Sequence, residues 1–398
     1  MTGPMDSAPV IFAVDDASTL GGVQRVVYEL IDGLADRGVA SGLLTLARAQ
    51  QPSALRSRYP APSLTLQPRP LALRYPPLTG WRRTKLRLTG SGAELRAFDD
   101  GVRRLRPLVE GSAAIFVAMQ LGVAAHLVRA GVPADRLIVQ YHDSFDAASR
   151  WDLAPLRSVA RAAGTMLCLT ADDAARFRAA GIPGMAYQPN PVDVDRLSAP
   201  EGAFAREPVI VAAGRFEEQK SYDLMLDAWW RIGLDHPDWR LEIYGDGSQR
   251  ARLQDRARRI DRARILPFTD DIQRRFHTAG LHALSSRHEG MPMVLTEAMC
   301  ARLPTVATDC SAGVRDLVRP DHTGLLVPIG DAAALARGLD RLIRDDALRA
   351  RLGDGAHRHI RRYDISRVID QWAARLRRPA TATPTATPTP VRRSVPGA

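Results

Sequence analysis

The chain has 398 residues, of which 45% are hydrophobic and 25% charged, and it carries a formal net charge of +11. This length exceeds what one ordinary hydrophobic core accommodates, and the composition is that of a globular protein rather than a disordered or fibrous one. The start has no basic segment leading into an apolar stretch, and the longest nearly apolar stretch, 113–128, is short for a membrane span, so we expect neither a signal peptide nor a transmembrane helix.

The first half of the chain alternates short apolar segments with segments of helical spacing. The predicted strands are 10–14, 41–46, 114–118, 137–141 and 165–169, and the predicted helices are 23–34, 95–108, 123–130 and 171–180. Between residues 50 and 92 the chain is rich in Pro, Arg and Gly and its periodicity is poor. We therefore expect a long and partly mobile region there.

A second series of the same kind follows the segment 188–193, in which two prolines forbid a helix and disfavour a central strand. Its predicted strands are 209–213, 241–244, 264–266, 282–285, 305–307 and 325–327. Short apolar strands that alternate with helices predict parallel sheets covered on both faces. The fold class is therefore α/β, with two doubly wound domains, 8–193 and 194–363, whose ligands bind at the carboxyl ends of the strands.

The three cysteines, Cys168, Cys300 and Cys310, form no CxxC pair. They predict a reducing compartment and neither a disulfide framework nor a zinc site, so we expect a cytoplasmic protein. The last residues, 378–398, are dominated by Thr, Pro and Ala and are predicted to be a disordered tail.

The segment 285–304 carries two glutamates, Glu289 before a turn and Glu297 inside the helix that follows. The turn between them allows both carboxylates to face one cleft. Each can accept paired hydrogen bonds from vicinal hydroxyls, which sugars and riboses possess.

Pro292 suits the first turn of that helix, where the backbone amides of Gly290, Met291 and Met293 would be free. Such amides, together with the helix dipole, favour an anionic or polar ligand. Residues 285–304 therefore predict a site for a sugar that carries a phosphate. Surface glutamates without a ligand are the alternative.

Other candidate residues also follow predicted strands. Arg215 and Lys220 come after strand 209–213 and can neutralise a diphosphate. Gly21 and Gly22 open the first helix and would let the backbone approach a ligand closely. His142 closes strand 137–141, although a lone histidine is more often structural than catalytic.

The spacing of Glu289 and Glu297 resembles the paired glutamates (E-x7-E) of the retaining GT-B glycosyltransferases, in the GT4-like group also called group 1. The segments 303–309 and 324–328 also match that family's pattern, whereas His288 and Met291 stand where aromatic residues are common. The resemblance runs from Gly21 to about residue 363.

The resemblance implies a role for each candidate. Glu289 and the amides after it would hold the donor sugar, and Glu297 would hold the ribose of the nucleotide. Arg215 and Lys220 would grip the diphosphate, and His142 would contact the donor sugar. It also implies that the last helix, within 364–377, packs back on the first domain.

The expected activity is that of a hexosyltransferase (EC 2.4) that moves a sugar from a nucleoside diphosphate sugar, by the family's habits a UDP-sugar, to an acceptor hydroxyl. No DxD-like motif is present, which agrees with the metal independence that the family implies. Alternatives are a GT-B enzyme acting on a small natural product, a related epimerase or phosphorylase, and a non-catalytic protein that binds nucleotide sugars.

The segment 69–106 holds ten Arg or Lys residues against three acidic ones. It lies in the domain that holds the acceptor in the resembling family. We hypothesise an acceptor that is a lipid-linked sugar or an anionic cell-envelope glycan, with peripheral docking at the inner face of an anionic membrane. Solvated helix faces are the alternative. No nucleic-acid motif accompanies the charge, so nucleic acid is excluded as a partner.

Overall fold

The computed structural model describes residues 8–16, 21–47, 63–67, 92–150, 153–198, 202 and 205–377. The predicted tail, 378–398, and the part of the basic segment before residue 92 lie outside the described residues. In the described part of the chain, no helix is both long enough and apolar enough to cross a bilayer.

The first sheet has seven strands. They are β1 (Val10–Val14), β2 (Ser41–Ala47), β3 (Ser63–Gln67), β4 (Ile115–Ala118), β5 (Leu137–Tyr141), β6 (Thr165–Cys168) and β7 (Met185–Tyr187). Their order is β3-β2-β1-β4-β5-β6-β7, and the pairings are parallel. Strand order reverses between β1 and β4, which opens a crevice at the carboxyl ends of those strands.

The helices associated with this sheet are α1 (Gly22–Ala35), α2 (Gly92–Glu110), α3 (Leu121–Ala130), α4 (Phe145–Ser149), α5 (Ala154–Ala162) and α6 (Ala171–Ala179). The short helix α7 (Val194–Leu197) follows them and packs against Leu295 of the second half. Every residue of β5 is buried, as expected for a central parallel strand with helices on both faces. The buried face of α1 includes Val26, Leu30 and Leu34, which recur at helical spacing.

The second sheet has six strands. They are β8 (Glu207–Ala213), β9 (Arg240–Tyr244), β10 (Ala263–Leu266), β11 (Ala279–Leu284), β12 (Thr305–Thr308) and β13 (Leu325–Val327). Their order is β10-β9-β8-β11-β12-β13, again parallel. The order therefore repeats that of the first six strands, with β8 in the place of β1 and β11 in the place of β4.

The helices of the second half are α8 (Tyr222–Ile232), α9 (Arg250–Ala257), α10 (Ile272–Thr278), α11 (Met293–Cys300), α12 (Ala312–Leu317), α13 (Ala332–Arg344), α14 (Asp346–Ile360) and α15 (Ile365–Leu376). Short 3-10 turns occupy 134–136, 218–220, 233–235 and 361–363. The three cysteines are buried and free.

The α/β class and the paired parallel sheets are confirmed, and the region 50–92 holds one element that the sequence analysis did not predict. It contains strand β3, which pairs in parallel with β2 at the edge of the first sheet. The two-residue alternation of a five-residue strand is a weak signal among prolines and arginines, and pairing with β2 supplies what local pattern does not. Strand β7 and helices α4 and α7 are also too short for their periodicity to be read, and helix α5 was not predicted either.

Helix α15 lies against the first sheet although it follows the second one in sequence. Trp372 meets Phe12 of β1 edge to face, with ring centroids 6.1 Å apart, and Ile369 fills the space left by Gly33 of α1. Val192 exchanges backbone hydrogen bonds with Tyr363 (3.0 Å) and Ile365 (2.9 Å) where the chain passes between the two halves. The chain therefore passes between the two halves twice, near Val192 and near Ile365, and hydrogen bonds join the two crossing segments.

Candidate functional site

A cleft of about 1890 Å³ lies between the two sheets and is lined by residues from the carboxyl ends of both. Its walls include α1, which follows β1, and α11, which follows β11. Six of the predicted site residues line it: Gly21, Gly22, His142, Arg215, Met293 and Glu297.

The other predicted residues are not part of the lining: Lys220, Glu289, Gly290, Met291 and Pro292. They pack against residues that are. Our expectation that both glutamates face the cleft therefore holds for Glu297 and not for Glu289. The reason is that Glu289 already has partners within the second half.

Glu289 is paired with Lys220. The Lys220 Nζ lies 2.6 Å from the Glu289 Oε1, and the Ser286 hydroxyl donates to the same oxygen at 2.6 Å. The side chains of Lys220 and Glu289 are only 14% and 8% exposed. The pair forms because β8 and β11 are neighbours in the sheet, so the loops after them meet.

Three hydrogen bonds to backbone carbonyls hold those two loops together. The Arg287 amide donates to the Gln219 carbonyl at 2.8 Å, and the Gln219 side chain donates to the His288 carbonyl at 2.8 Å. The Ser285 hydroxyl donates to the Lys220 carbonyl, also at 2.8 Å. These bonds therefore fix the two loops that carry Lys220 and Glu289 relative to each other.

Glu297 forms an ion pair with Arg25, which lies in the first turn of α1 on the opposite wall. The sequence analysis missed Arg25, although its place four residues after Gly21 sets it on the first turn of that helix. This contact joins the two halves across the cleft. It also means that the carboxylate predicted to hold a ribose is already engaged by a guanidinium.

His142 follows β5, and its side chain lines the cleft. Burial lowers the pKa of its imidazole to about 4, so the ring is neutral at pH 7. The Nε2 is buried and has no hydrogen-bond partner among the described residues. A neutral ring nitrogen in this position is free to accept or donate one hydrogen bond to a ligand.

Gly290 brings the start of α11 against His142. A Cβ at Gly290 would overlap the carbonyl oxygen of His142, and one at Gly313 would overlap the carbonyl oxygen of Gly290. Only glycine allows this double approach. Pro292 stands immediately before the helix rather than in its first turn, and no hydrogen bond to the amides of Gly290, Met291 or Met293 occurs in the described part of the chain.

Arg215 is exposed at the end of β8, where it lines the cleft. Its guanidinium forms no ion pair within 4.0 Å in the described ranges, although its charge contributes to a lowered pKa of the Glu217 carboxyl. Across the cleft, a Cβ at Gly22 would lie 3.1 Å from the Met293 side chain. The Gly-Gly loop therefore lies in close contact with the Met293 side chain of α11.

The described part of the chain contains no group of three or more His, Cys, Asp or Glu side chains that could hold a metal ion. Metal independence stays a prediction.

Two family models match adjoining parts of the chain. The model described as Glycosyltransferase Family 4 matches residues 20–196, and that described as Glycosyl transferases group 1 matches residues 193–359. The first contains His142, and the second contains Arg215, Glu289 and Glu297.

Among curated relatives, an uncharacterized glycosyltransferase of Haemophilus influenzae is 31% identical over 166 residues, 41% of this chain and 47% of the relative. The lipopolysaccharide core biosynthesis glycosyltransferase LpsE of Rhizobium meliloti is 31% identical over 169 residues, 42% of this chain and 47% of the relative. The chain thus spans about half the length of the curated relatives it matches.

A solved structure of HepE from Anabaena, in complex with UDP and glucose, is 16% identical and superposes with a TM-score of 0.72. The match covers 93% of this chain and 99% of that one. At this identity the likeness shows the fold alone, which is the GT-B arrangement of two facing doubly wound domains.

Proposed function

Since the chain belongs to the GT-B glycosyltransferases of the GT4-like group, we propose that it moves a hexose from a nucleoside diphosphate sugar to an acceptor hydroxyl, with retention at the anomeric carbon. The observation that carries the proposal is the convergence of His142 and Arg215 at one cleft between the two sheets, next to the loops that hold the Lys220–Glu289 pair. Each lies at the end of a strand, where doubly wound folds bind ligands.

Arg215 and Lys220 would stabilise the diphosphate as it departs. Negative charge develops on the leaving group during transfer, and fixed cations in a cleft lower the free energy of that state. Arg215 is exposed and forms no ion pair among the described residues, although its charge acts on Glu217. Lys220 has three donors, of which the Glu289 contact takes one.

The two glutamates and His142 would bind the hydroxyls of the donor. Glu297 would accept from the ribose, which requires that Arg25 release or share its carboxylate. Glu289, held by Lys220 and Ser286, would accept from the sugar. The neutral His142 ring would add one hydrogen bond next to the anomeric carbon, without placing a positive charge there.

UDP is the nucleotide we propose, in line with the UDP bound to HepE. The acceptor we propose is a cell-envelope glycan or a lipid-linked sugar, in line with the lipopolysaccharide role of LpsE. A small natural product as acceptor and a non-catalytic role in binding nucleotide sugars are the competing functions.

The donor is tested by thermal unfolding with UDP, GDP, ADP and their sugars, for the wild type and Glu297→Ala. We expect one nucleotide to raise the melting temperature selectively, and the variant to lose that rise. Release of the free nucleotide from the selected sugar, followed by NMR of the product, then tests transfer and retention. Stabilisation without any release would favour the non-catalytic role, and no stabilisation by any nucleotide would contradict the proposal.

We also propose peripheral docking at an anionic membrane surface, which the net positive charge of the segment 69–106 supports. In the described section of the basic segment, Arg103, Arg104 and Arg106 are exposed on α2, but Asp100 pairs with the first two at 2.9 and 3.1 Å. Co-sedimentation with anionic vesicles at low salt tests it. No binding under these conditions would leave the small soluble acceptor as the better reading.

A further inference from the structure

The wall of the cleft that belongs to the first sheet contains an acidic residue with no role so far. We propose that Asp15 binds a hydroxyl of the acceptor, and that the part of the acceptor which enters the cleft is a neutral, hydroxyl-rich unit such as an uncharged sugar. This inference rests on the proposed function, because it names what the other half of the same cleft receives.

Asp15 stands directly after β1, at the carboxyl end of the strand next to β4. Its backbone amide donates to the side chain of Gln120, which follows β4, at 3.2 Å. The loop beyond it is held by Gln24, whose side chain donates to the Asp16 carbonyl at 2.7 Å. The backbone of Asp15 is therefore fixed at the switch point of the first sheet, and the residue lines the cleft.

The Asp15 Oδ1 is buried and has no hydrogen-bond partner among the described residues. Burial, with a smaller contribution from Asp16, raises the pKa of Asp15 to about 6. A buried oxygen without a donor costs free energy that a folded protein normally avoids. A ligand hydroxyl that donates to this oxygen would remove the cost.

The charges on this wall indicate which ligand fits. Among the described residues of the first sheet and of helices α1 to α6 that line the cleft, the cations are Arg25 and Arg37. Arg196 of α7 also lines the cleft, and it is paired with Asp193 at 2.9 Å. Arg25 pairs with Glu297, and Arg37 lies 2.6 Å from the Asp370 carboxylate. Since all three guanidinium groups are paired and His142 is neutral, the wall offers hydrogen-bond acceptors and no unpaired charge for a phosphate.

The second half of the cleft is different, because the exposed Arg215 guanidinium lines it, forms no ion pair among the described residues, and acts on Glu217 only beyond ion-pair distance. An anionic donor is thus favoured on one side and a neutral hydroxyl on the other. The acceptor can carry a charged anchor outside the cleft, but the unit that meets Asp15 is uncharged.

The test compares Asp15→Asn and Asp15→Ala with the wild type and with Asp36→Asn. Asp36 lines the same cleft at the far end of α1, about 21 Å from its start, so its variant changes charge equally without touching Asp15. The ligands are octyl glucoside and octyl glucoside 6-phosphate, below micelle-forming concentration. Their binding to the UDP-saturated protein is measured by saturation-transfer NMR, and UDP binding by thermal shift.

We expect the wild type and Asp36→Asn to bind the neutral glucoside better than the phosphate. Both Asp15 variants should weaken glucoside binding at least ten-fold and leave the UDP shift unchanged. Asp15→Asn should also unfold at the same temperature as the wild type or higher, because it removes a buried charge. A structural role would instead lower that temperature.

Equal glucoside binding by all four proteins, no glucoside binding by the wild type, or preference for the phosphate would each overturn the inference. A missing UDP shift in the wild type would instead count against the proposed function. In that case glucoside binding is measured without UDP, and the comparison of the Asp15 variants with the wild type still decides the role of Asp15.

Discussion

The two sheets have the same strand order but carry different chemistry at equivalent strand ends. After the first strand of each sheet in chain order, β1 or β8, the first sheet has Asp15 and the second has Arg215, followed by Lys220. After the fourth, the first sheet has Gln120 and the second leads to Glu289. Topology therefore decides where a ligand can sit, and the loops decide which charge it meets.

The two walls also differ in how their polar groups are satisfied. In the second half, Lys220, Ser286 and Glu289 satisfy one another. In the first half, the Asp15 Oδ1 and the His142 Nε2 are buried without partners among the described residues. A paired group such as Lys220–Glu289 keeps its position without ligand. A buried atom without a partner, such as these two in the first half or the Gln273 Oε1 in the second, can be satisfied by a ligand.

The largest effect should come from Glu289→Gln, which keeps the shape of the side chain and removes its charge. We expect the rate of nucleotide release from the donor sugar to fall about 10²–10³-fold, because a preorganised polar group next to the reacting sugar is lost. Glu218→Gln is the matched control, since the Glu218 side chain is 82% exposed. A fall in the release rate of less than ten-fold would show that the Lys220–Glu289 pair has only a structural role.

Lys220→Met should leave the Glu289 carboxylate buried without its cation. The expected loss in free energy of unfolding is roughly 3 kcal/mol, measured by urea denaturation. The double variant with Glu289→Gln should recover most of that stability without recovering activity. If the single variant were as stable as Arg287→Met, which breaks only an exposed pair, the second wall would not depend on this contact.

Glu29→Gln tests a buried acid of α1 in the first half. Burial raises the pKa of Glu29 to about 7, although Arg196 and Arg25 oppose the shift. The folded protein therefore holds a proton that the unfolded chain releases near pH 4.5, so this group destabilises the fold progressively as the pH rises from 4.5 to 7. The variant should gain stability relative to the wild type over that range and no further above it. Melting temperatures from pH 4.5 to 8 measure this, and a constant difference would contradict it.

Arg25→Ala should have the smallest effect. The Arg25 side chain is 36% exposed, and an ion pair at such a site is worth at most about 1 kcal/mol. Because Arg25 competes with a ribose for Glu297, we expect UDP to bind up to about five-fold more tightly, as measured by calorimetry. Weaker binding would mean that Arg25 itself contacts the nucleotide and that the two walls share the donor.

Much of this molecule follows from local pattern. The strands that become β1, β5 and β8 are apolar runs bounded by turns, and their positions could be predicted because a buried parallel strand has few sequence alternatives. The polar residues placed after strand ends identified His142 and Arg215 in the same way. Asp15 follows β1 with the same signal, but no local feature distinguishes it from its neighbour Asp16.

By itself, the sequence determined the α/β class, two parallel sheets and a set of polar residues at strand ends. The tertiary structure decided which of them meet. Arg25 and Glu297 are 272 positions apart, and Lys220 and Glu289 are 69 apart. Such contacts follow from strand order and from the packing of one domain on the other. Periodicity reports only which face of an element is buried, and carries no record of the partner that buries it.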